Sequence, residues 1–280
     1  MEILIAIGSV IFGLAFLTFW GNVLVEIAIG NVLWSNIANV LLILGITACI
    51  TPMALSRTTR FFDLPIVLLT SIVFLVLVSD ILLDGMWINM IGRIDGIILL
   101  SVAIAYILYS VKHNNFIPDE SQEVEVISST WKAILWILAG VAVLFIGGKI
   151  LVDGAVTIAK IFWLSESIIG LTIVAVGTST PELVTSIVAA RRWNSDIAIG
   201  NVVGSNIMNI LVILGISAII APLPFLDASY VDLAMAIFAP ILLLFLSLLW
   251  TRNIIGRKEG ILLLFTYIAY VGYLISNEIG

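Results

Sequence analysis

Long apolar runs separated by short polar segments make up most of this sequence. A run of about 18 or more apolar residues is long enough to cross a bilayer as a helix. The first half contains four such runs and the second half five: residues 1–25, 27–50, 64–79 and 94–111, then 131–153, 165–190, 197–221, 229–250 and 260–276. The pattern therefore predicts a polytopic membrane protein with nine helical spans.

The first two runs follow each other with only Glu26 as a charge between them. Together they are too long for a single crossing, so two spans are required. We expect a tight turn to join these spans, either near Gly21 and Asn22 or at Glu26.

Composition supports the membrane assignment and excludes several other classes of protein. Hydrophobic residues make up 62% of the chain, charged residues 11%, and the mean hydropathy is +1.24, values that exclude a soluble globular domain. The single Cys49 and the single His113 exclude a disulfide framework and a zinc site built from several cysteines and histidines. No pairing of a nucleophile with a base and no nucleotide-binding loop is evident, so we expect neither an enzyme nor a cofactor.

One predicted span, residues 165–190, is interrupted at its middle by Gly-Thr-Ser-Thr-Pro-Glu at positions 177–182. Pro181 has no amide hydrogen, so the carbonyl groups from Ala175 to Thr178 lack their helical partners. Glu182 follows at mid-membrane depth, where an ionisable side chain costs roughly 2.5 kcal/mol or more and is retained mainly for function.

A bound cation would satisfy all of these groups together. The Glu182 carboxylate, the freed carbonyls and the hydroxyls of Thr178 and Ser179 are hard oxygen ligands, which suit calcium or an alkali ion. The alternative is a proline-kinked core helix whose Glu182 is protonated or paired with a neighbour. The density of oxygen atoms within six residues favours the cation site.

The sequence also contains an internal duplication. Residues 27–52 match residues 197–222 at 18 of 26 positions, at an offset of 170, and residues 91–106 match 255–270 at an offset of 164. Such a duplication is typical of transporters whose ion site lies between two repeats near the bilayer midplane.

The duplication divides the chain into three parts. We assign residues 1–111 to a first repeat, 112–130 to an acidic linker and 131–280 to a second repeat. Basic residues of the second repeat lie mostly on the linker side, which predicts a cytoplasmic linker. These residues are Lys132, Arg191, Arg192, Arg252, Arg257 and Lys258.

The first repeat is shorter than the second. A weaker match aligns residues 13–26 with 140–153 at an offset of 127, after which the offset jumps to 170. About 43 residues of the second repeat, 154–196, therefore have no counterpart in the first. This block contains the helix of Pro181 and Glu182, so the first repeat lacks its own copy of the interrupted span.

Two polar pairs lie in the best-matched part of the repeats. Ser205 and Asn209 are spaced i, i+4 and share one helix face, and Ser35 and Asn39 repeat the arrangement. The pairs either bind an ion or act as hydrogen-bonding contacts between closely packed helices. Trp34 stands where the second repeat has Gly204, and we expect it to be too large for the close backbone approach that glycine permits.

The Gly-Thr-Ser-Thr-Pro-Glu-Leu core, the Gly-Asn-Val-Val-Gly-Ser-Asn-Ile run and the duplication resemble the sodium/calcium exchangers of the cation/calcium exchanger superfamily, prokaryotic branch. The resemblance implies an all-α fold of two inverted five-helix repeats, with ten spans, one more than predicted here. It also implies exchange of calcium for sodium or protons by alternating access. The metal ligands that it implies are Glu182, Thr178, Ser179, the Ala175 carbonyl, Ser205, Asn209, Ser35 and Asn39.

The chain departs from the family pattern in two respects: Trp34 stands where the second repeat has Gly204, and one carboxylate is missing. The other essential glutamate of the family falls inside the absent block, which leaves a single carboxylate for a divalent ion in a low-dielectric site. Two hypotheses follow: an antiporter of calcium and sodium or protons, or a transport-inactive deletion form that acts as a membrane subunit or regulator. In either case we expect a multi-pass protein of the cell inner (plasma) membrane, in contact with the lipid bilayer and not with nucleic acid.

Overall fold

The computed structural model describes residues 24–79, 89–113, 179–225, 229–249 and 253–279, with Gly177 and isolated positions between 131 and 157. These residues are mostly helical, as predicted. The helices are α1 (Leu24–Ile37), α2 (Leu44–Ile50), α3 (Leu64–Leu77), α4 (Arg93–His113), α5 (Thr180–Arg191), α6 (Ser195–Met208), α7 (Gly215–Ile220), α8 (Ser229–Leu249) and α9 (Arg257–Ile279).

Within the described residues, three π-helical turns interrupt the regular hydrogen bonding. The turn Ala38–Ile43 joins α1 to α2, and the turn Asn209–Leu214 joins α6 to α7, so each pair forms one continuous span. A third turn, Thr59–Asp63, precedes α3. The first two lie at equivalent places in the repeats, and π turns inside helices are frequent at functional sites.

Six stretches among the described residues are long and apolar enough to cross a membrane. They are Ile29–Ile50, Thr59–Leu77, Arg93–Lys112, Ser195–Ile220, Ser229–Leu248 and Arg257–Ser276. These six correspond to six of the predicted spans. The other three lie wholly or partly outside the described residues, so the total of nine stays a prediction, as does the division at the linker.

The position of the first predicted turn is partly corrected. Helix α1 begins at Leu24 and contains Glu26, so the chain does not turn at Glu26. Gly21 and Asn22 lie outside the described residues. Glutamate is a good helix former, so its presence near the start of α1 is compatible with the helix.

In the part of the chain that the structure describes, four two-residue strands link the repeats. They are β1 (Met53–Ala54), β2 (Met90–Ile91), β3 (Leu223–Pro224) and β4 (Ile254–Ile255). Strand β1 pairs antiparallel with β4, and β2 pairs antiparallel with β3. Each pair joins the segment after a long span of one repeat to the segment before the last helix of the other.

Glycines allow the helix backbones of the two repeats to touch. Helix α2 packs on α9, and α7 packs on α4. A Cβ atom added to Gly260 would lie 2.8 Å from the carbonyl oxygen of Gly45, and one added to Gly96 would lie 2.6 Å from that of Gly215. The two crossings are equivalent under the sequence duplication, so each repeat packs against the other in the same manner.

The two long spans form the centre of the described structure. Of their most apolar stretches, 78% is buried in Ile29–Ile50 and 72% in Ser195–Ile220, against 17% in Arg93–Lys112. Outer helices therefore leave large apolar side chains exposed, such as Ile104 and Phe265. A surface of this kind suits contact with lipid.

We predict that Gly260→Ala lowers the free energy of unfolding by about 1–3 kcal/mol, because the new methyl group would overlap the Gly45 carbonyl. Unfolding in mixed detergent micelles measures this change. Gly272→Ala is the matched control, since no described atom lies within 4 Å of a Cβ there and α9 is retained. Equal stability of the two variants would contradict a backbone contact at the crossing.

Candidate functional site

The predicted interruption of the span 165–190 coincides with a helix start. Ser179 is the N-cap of α5, with φ −92° and ψ 5°, and Pro181 occupies the first turn. A proline there sacrifices no helical hydrogen bond, because the first amides of a helix have no partner within it. The Leu183 amide donates to the Ser179 carbonyl at 3.0 Å. A new helix therefore begins here, directly before Glu182.

Glu182 lies at the centre of the candidate site. Its side chain is 5% exposed and belongs to the first turn of α5, where the partial positive charge of the helix end favours a carboxylate. The Ser205 hydroxyl donates to Glu182 Oε1 at 3.0 Å, and Asn39 Nδ2 donates to Ser205 Oγ at 3.4 Å. Three segments, one of them from the first repeat, thus meet around one buried acid.

A symmetric asparagine cluster lies beside the acid. Asn36 Nδ2 donates to the Asn206 carbonyl, and Asn206 Nδ2 donates to the Asn36 carbonyl, both at 3.1 Å. Asn39 Nδ2 donates to Asn206 Oδ1, and Asn209 Nδ2 donates to Asn36 Oδ1, both at 2.9 Å. Each bond has a counterpart at the sequence offset of 170. The repeats therefore contact each other through matching residues near a local two-fold axis.

The predicted site residues fall into three groups: those joined by hydrogen bonds, those that are buried nearby in the chain, and those outside the described residues. Glu182, Ser205 and Asn39 are joined by direct hydrogen bonds, and Asn209 joins them through the asparagine cluster. Ser35 on α1 and Ser179 at the start of α5 are also buried, at 6% and 3% exposure. The other predicted ligands, Thr178 and the Ala175 carbonyl, lie outside the described residues.

Sequence reasoning missed several residues that support the site. Asn201 Nδ2 donates at 3.2 Å both to the Glu182 carbonyl and to Ser186 Oγ, and the Ser186 hydroxyl donates to the Ala198 carbonyl at 3.1 Å. These bonds fix α5 against α6. Asn36 and Asn206 were also overlooked, although both stand at matching positions of the duplicated run, which was the available signal.

Oxygen atoms with spare hydrogen-bonding capacity remain next to the acid. Among the described residues, Asn39 Oδ1 and Asn201 Oδ1 are buried and accept no hydrogen bond. Buried acceptors normally have a hydrogen-bond partner, so these two unpaired oxygens are suitable ligands for a cation. Within the same residues no three of His, Cys, Asp and Glu group together, which leaves oxygens of mixed type as the donor set.

The sequence predicts a close backbone approach at Gly204, for which Trp34 at the matching position would be too large. A Cβ atom at Gly204 would meet no described atom within 4 Å, so a close backbone approach there is wrong for this part of the chain. Trp34 is 2% exposed and its indole Nε1 donates to Asp232 Oδ2 at 3.0 Å. Its ring therefore packs towards α8 without displacing Asn36 or Asn39 from the cluster.

A family model described as sodium/calcium exchanger protein matches residues 3–112 and 132–276, which is most of the chain. The chain belongs to the sodium/calcium exchanger family. The match covers the helices of both repeats and every described residue of the candidate site.

Individual members of this family agree with that membership. The inner membrane protein YrbG of Escherichia coli is 32% identical over 89% of this chain and 77% of its own length. The sodium/calcium exchanger MaX1 of Methanosarcina acetivorans is 39% identical over 50% of this chain and 40% of its own. A structure of the sodium-calcium exchanger NCX_Mj, soaked with Na⁺ and Sr²⁺, superimposes with a TM-score of 0.75 and 29% identity, covering 97% of this chain and 85% of that one.

We predict that Asn36→Ala and Asn206→Ala each lower the free energy of unfolding by about 1–3 kcal/mol, because each leaves buried polar partners unsatisfied. The double variant is expected to cost less than the sum, since the two residues share partners. Unfolding in mixed micelles measures all three. Ser101→Ala, at an exposed site that bonds only within α4, is the control and is expected to be nearly neutral. Strict additivity would contradict a shared network.

Proposed function

We propose that this protein is an antiporter that exchanges calcium for sodium, or for protons, by alternating access. One observation carries the proposal: Glu182 is buried at the start of α5 and is linked by hydrogen bonds to side chains of both repeats. Membership of the exchanger family supports the same conclusion. The proposed function is therefore transport and not catalysis.

The donor set suggests how the ions compete. We assign Glu182, Ser179, Ser205, Asn209, Ser35 and Asn39, together with Thr178 and the Ala175 carbonyl, as ligands of the transported ions. A carboxylate surrounded by neutral oxygens accepts either one divalent ion or monovalent ions, since both prefer hard oxygen ligands. Because binding of one ion excludes the other, a gradient of sodium can drive calcium in the opposite direction.

Burial explains why only a loaded site would move. An ionised Glu182 without a cation would remain charged in a low-dielectric interior, which is costly. A bound cation removes most of that cost, so the loaded protein can pass between inward and outward states more readily. The position of the site between two repeats is the arrangement that alternating access requires.

We also propose that the protein spans the cell inner (plasma) membrane several times, with the linker 112–130 in the cytoplasm. The excess of basic residues on the linker side supports this orientation. The related YrbG is named an inner membrane protein, which supports the location.

We predict that Glu182→Gln abolishes sodium-driven calcium uptake into proteoliposomes, because the amide keeps the size of the side chain and removes its charge. Thermal stabilisation by calcium would be lost as well. Glu259→Gln is the matched control: Glu259 is also a buried acid in the first turn of a helix, but its described hydrogen bond is local, from the Gly256 amide to its Oε2 at 2.8 Å. Unchanged calcium stabilisation in Glu182→Gln would contradict the proposed ligand.

We predict that inserting a copy of residues 154–196 after Glu26 raises calcium affinity and the rate of exchange. The insertion would supply the first repeat with a second carboxylate, and a second negative oxygen strengthens a calcium site. Radiolabelled calcium uptake and calorimetric titration measure the two effects. The control is the same insertion with its glutamate changed to glutamine. If the unmodified chain binds calcium but never transports it, the transport-inactive alternative is correct.

A further inference from the structure

Asp232 is a buried acid that lies outside the candidate ion site. Asp232 on α8 is 7% exposed and falls within the span Ser229–Leu248. Trp34 Nε1 donates to its Oδ2 at 3.0 Å, and the Tyr270 hydroxyl bonds to its Oδ1 at 2.6 Å. The rings of Trp34 and Tyr270 lie 5.3 Å apart. Asp232 lies in the first turn of α8, and its two hydrogen bonds compensate for the burial of the polar group.

The surroundings of Asp232 contain few other titratable groups. Helix α1, the turn Ala38–Ile43, α3 and β4 pack against α8, and the last three carry no acidic or basic residue. Helix α1 carries Glu26, about two turns before Trp34. Helix α8 adds Tyr230, and α9 adds Tyr267 and Tyr270, with Arg257, Lys258 and Glu259 about three turns from Tyr270. Among the described residues, Asp232 forms hydrogen bonds with Trp34 and Tyr270 and no ion pair with a lysine or arginine.

The hydrogen bonds around Asp232 suit a proton better than a metal ion. Each carboxylate oxygen of Asp232 already accepts a hydrogen bond, Oδ2 from Trp34 and Oδ1 from Tyr270, so the acid does not depend on a metal ion for partners. A tyrosine hydroxyl can donate or accept, so the bond between Tyr270 and Oδ1 can persist whether Oδ1 is ionised or protonated. Proton binding at Oδ1 therefore does not break the bond to Tyr270.

We propose that Asp232 is a proton-binding site that controls the position of α1 through Trp34. When Asp232 is ionised, its bond from Trp34 is charge-assisted and roughly twice as strong as a neutral bond. A proton from water that binds Oδ1 turns Tyr270 from donor to acceptor and weakens the hold on Trp34. Trp34 directly precedes Ser35 and lies just before Asn39, so Asp232 acts as a positioning residue for the first-repeat ligands. This last step rests on the proposed function.

The proton itself is tested without calcium. Infrared difference spectra of the protein in liposomes, between about pH 5 and about pH 9, are expected to show a protonated-carboxyl band from isotope-labelled aspartate. The band is expected to disappear in Asp232→Asn, whose amide keeps the size and both hydrogen bonds, and to persist in Asp95→Asn, in which the altered acid caps the exposed start of α4. A band unchanged in Asp232→Asn, or no aspartate band at all, would overturn the proposal.

The effect on α1 is tested by calorimetric calcium titration across the same pH range. At high pH, Asp232→Asn is expected to bind calcium about fivefold more weakly than the natural chain, the scale of one charge-assisted bond against a neutral one. At low pH the two are expected to converge, because both are then neutral at this position. A loss of equal size at every pH would overturn the positioning role, since it would indicate structural damage alone.

A third variant separates this proposal from the proposed function. Trp34→Phe removes the indole donor, so it is expected to keep the aspartate band and to abolish the difference in pH dependence that Asp232→Asn reveals. If the band appears but calcium never binds the natural chain, the exchanger function fails and the proton site stands. If calcium binds and no band appears, the proton site fails and the function stands.

Discussion

The described structure depends on one constraint: a polar group buried in a membrane protein must find its partner within the protein. Asn36 and Asn206 satisfy this constraint together, because the side-chain amide of each donates to the backbone carbonyl of the other at 3.1 Å. Ser205 and Asn39 extend the same network to Glu182. The polar cluster therefore holds the two long spans together beside the proposed ion site, and several of the proposed ligands also stabilise the contact between the repeats.

Much of this arrangement followed from the sequence because membrane helices give strong local signals. The apolar runs predicted the six described spans, and the Pro181–Glu182 interruption marked the start of α5. The repeated Ser and Asn positions predicted Ser205, Asn39 and Asn209 as candidate ligands. A duplicated sequence is informative here because a site between repeats must use matching faces of both.

Other features could not be predicted because they depend on packing between distant segments. The Trp34 to Asp232 bond links residues far apart in the chain, and a lone acid in an apolar run does not reveal its partner. The two-residue strands are too short to show an alternating pattern. Gly204 was expected at a close approach, whereas the backbone contacts occur at Gly45, Gly96, Gly215 and Gly260, because glycine content alone does not say which helix lies opposite.

One of the glycine crossings can form only after nearly the whole chain has been made. Helix α2 belongs to the first repeat, but its backbone partner at Gly260 lies near the end of the chain. During synthesis, α1 and α2 therefore enter the bilayer long before α6 and α9 exist. Until Asn206 is made, the side-chain amide of Asn36 lacks its partner and is exposed to the hydrocarbon, which is energetically unfavourable. The side-chain amide of Asn36 in the newly made first repeat therefore lacks these hydrogen-bond partners until the second repeat packs against it.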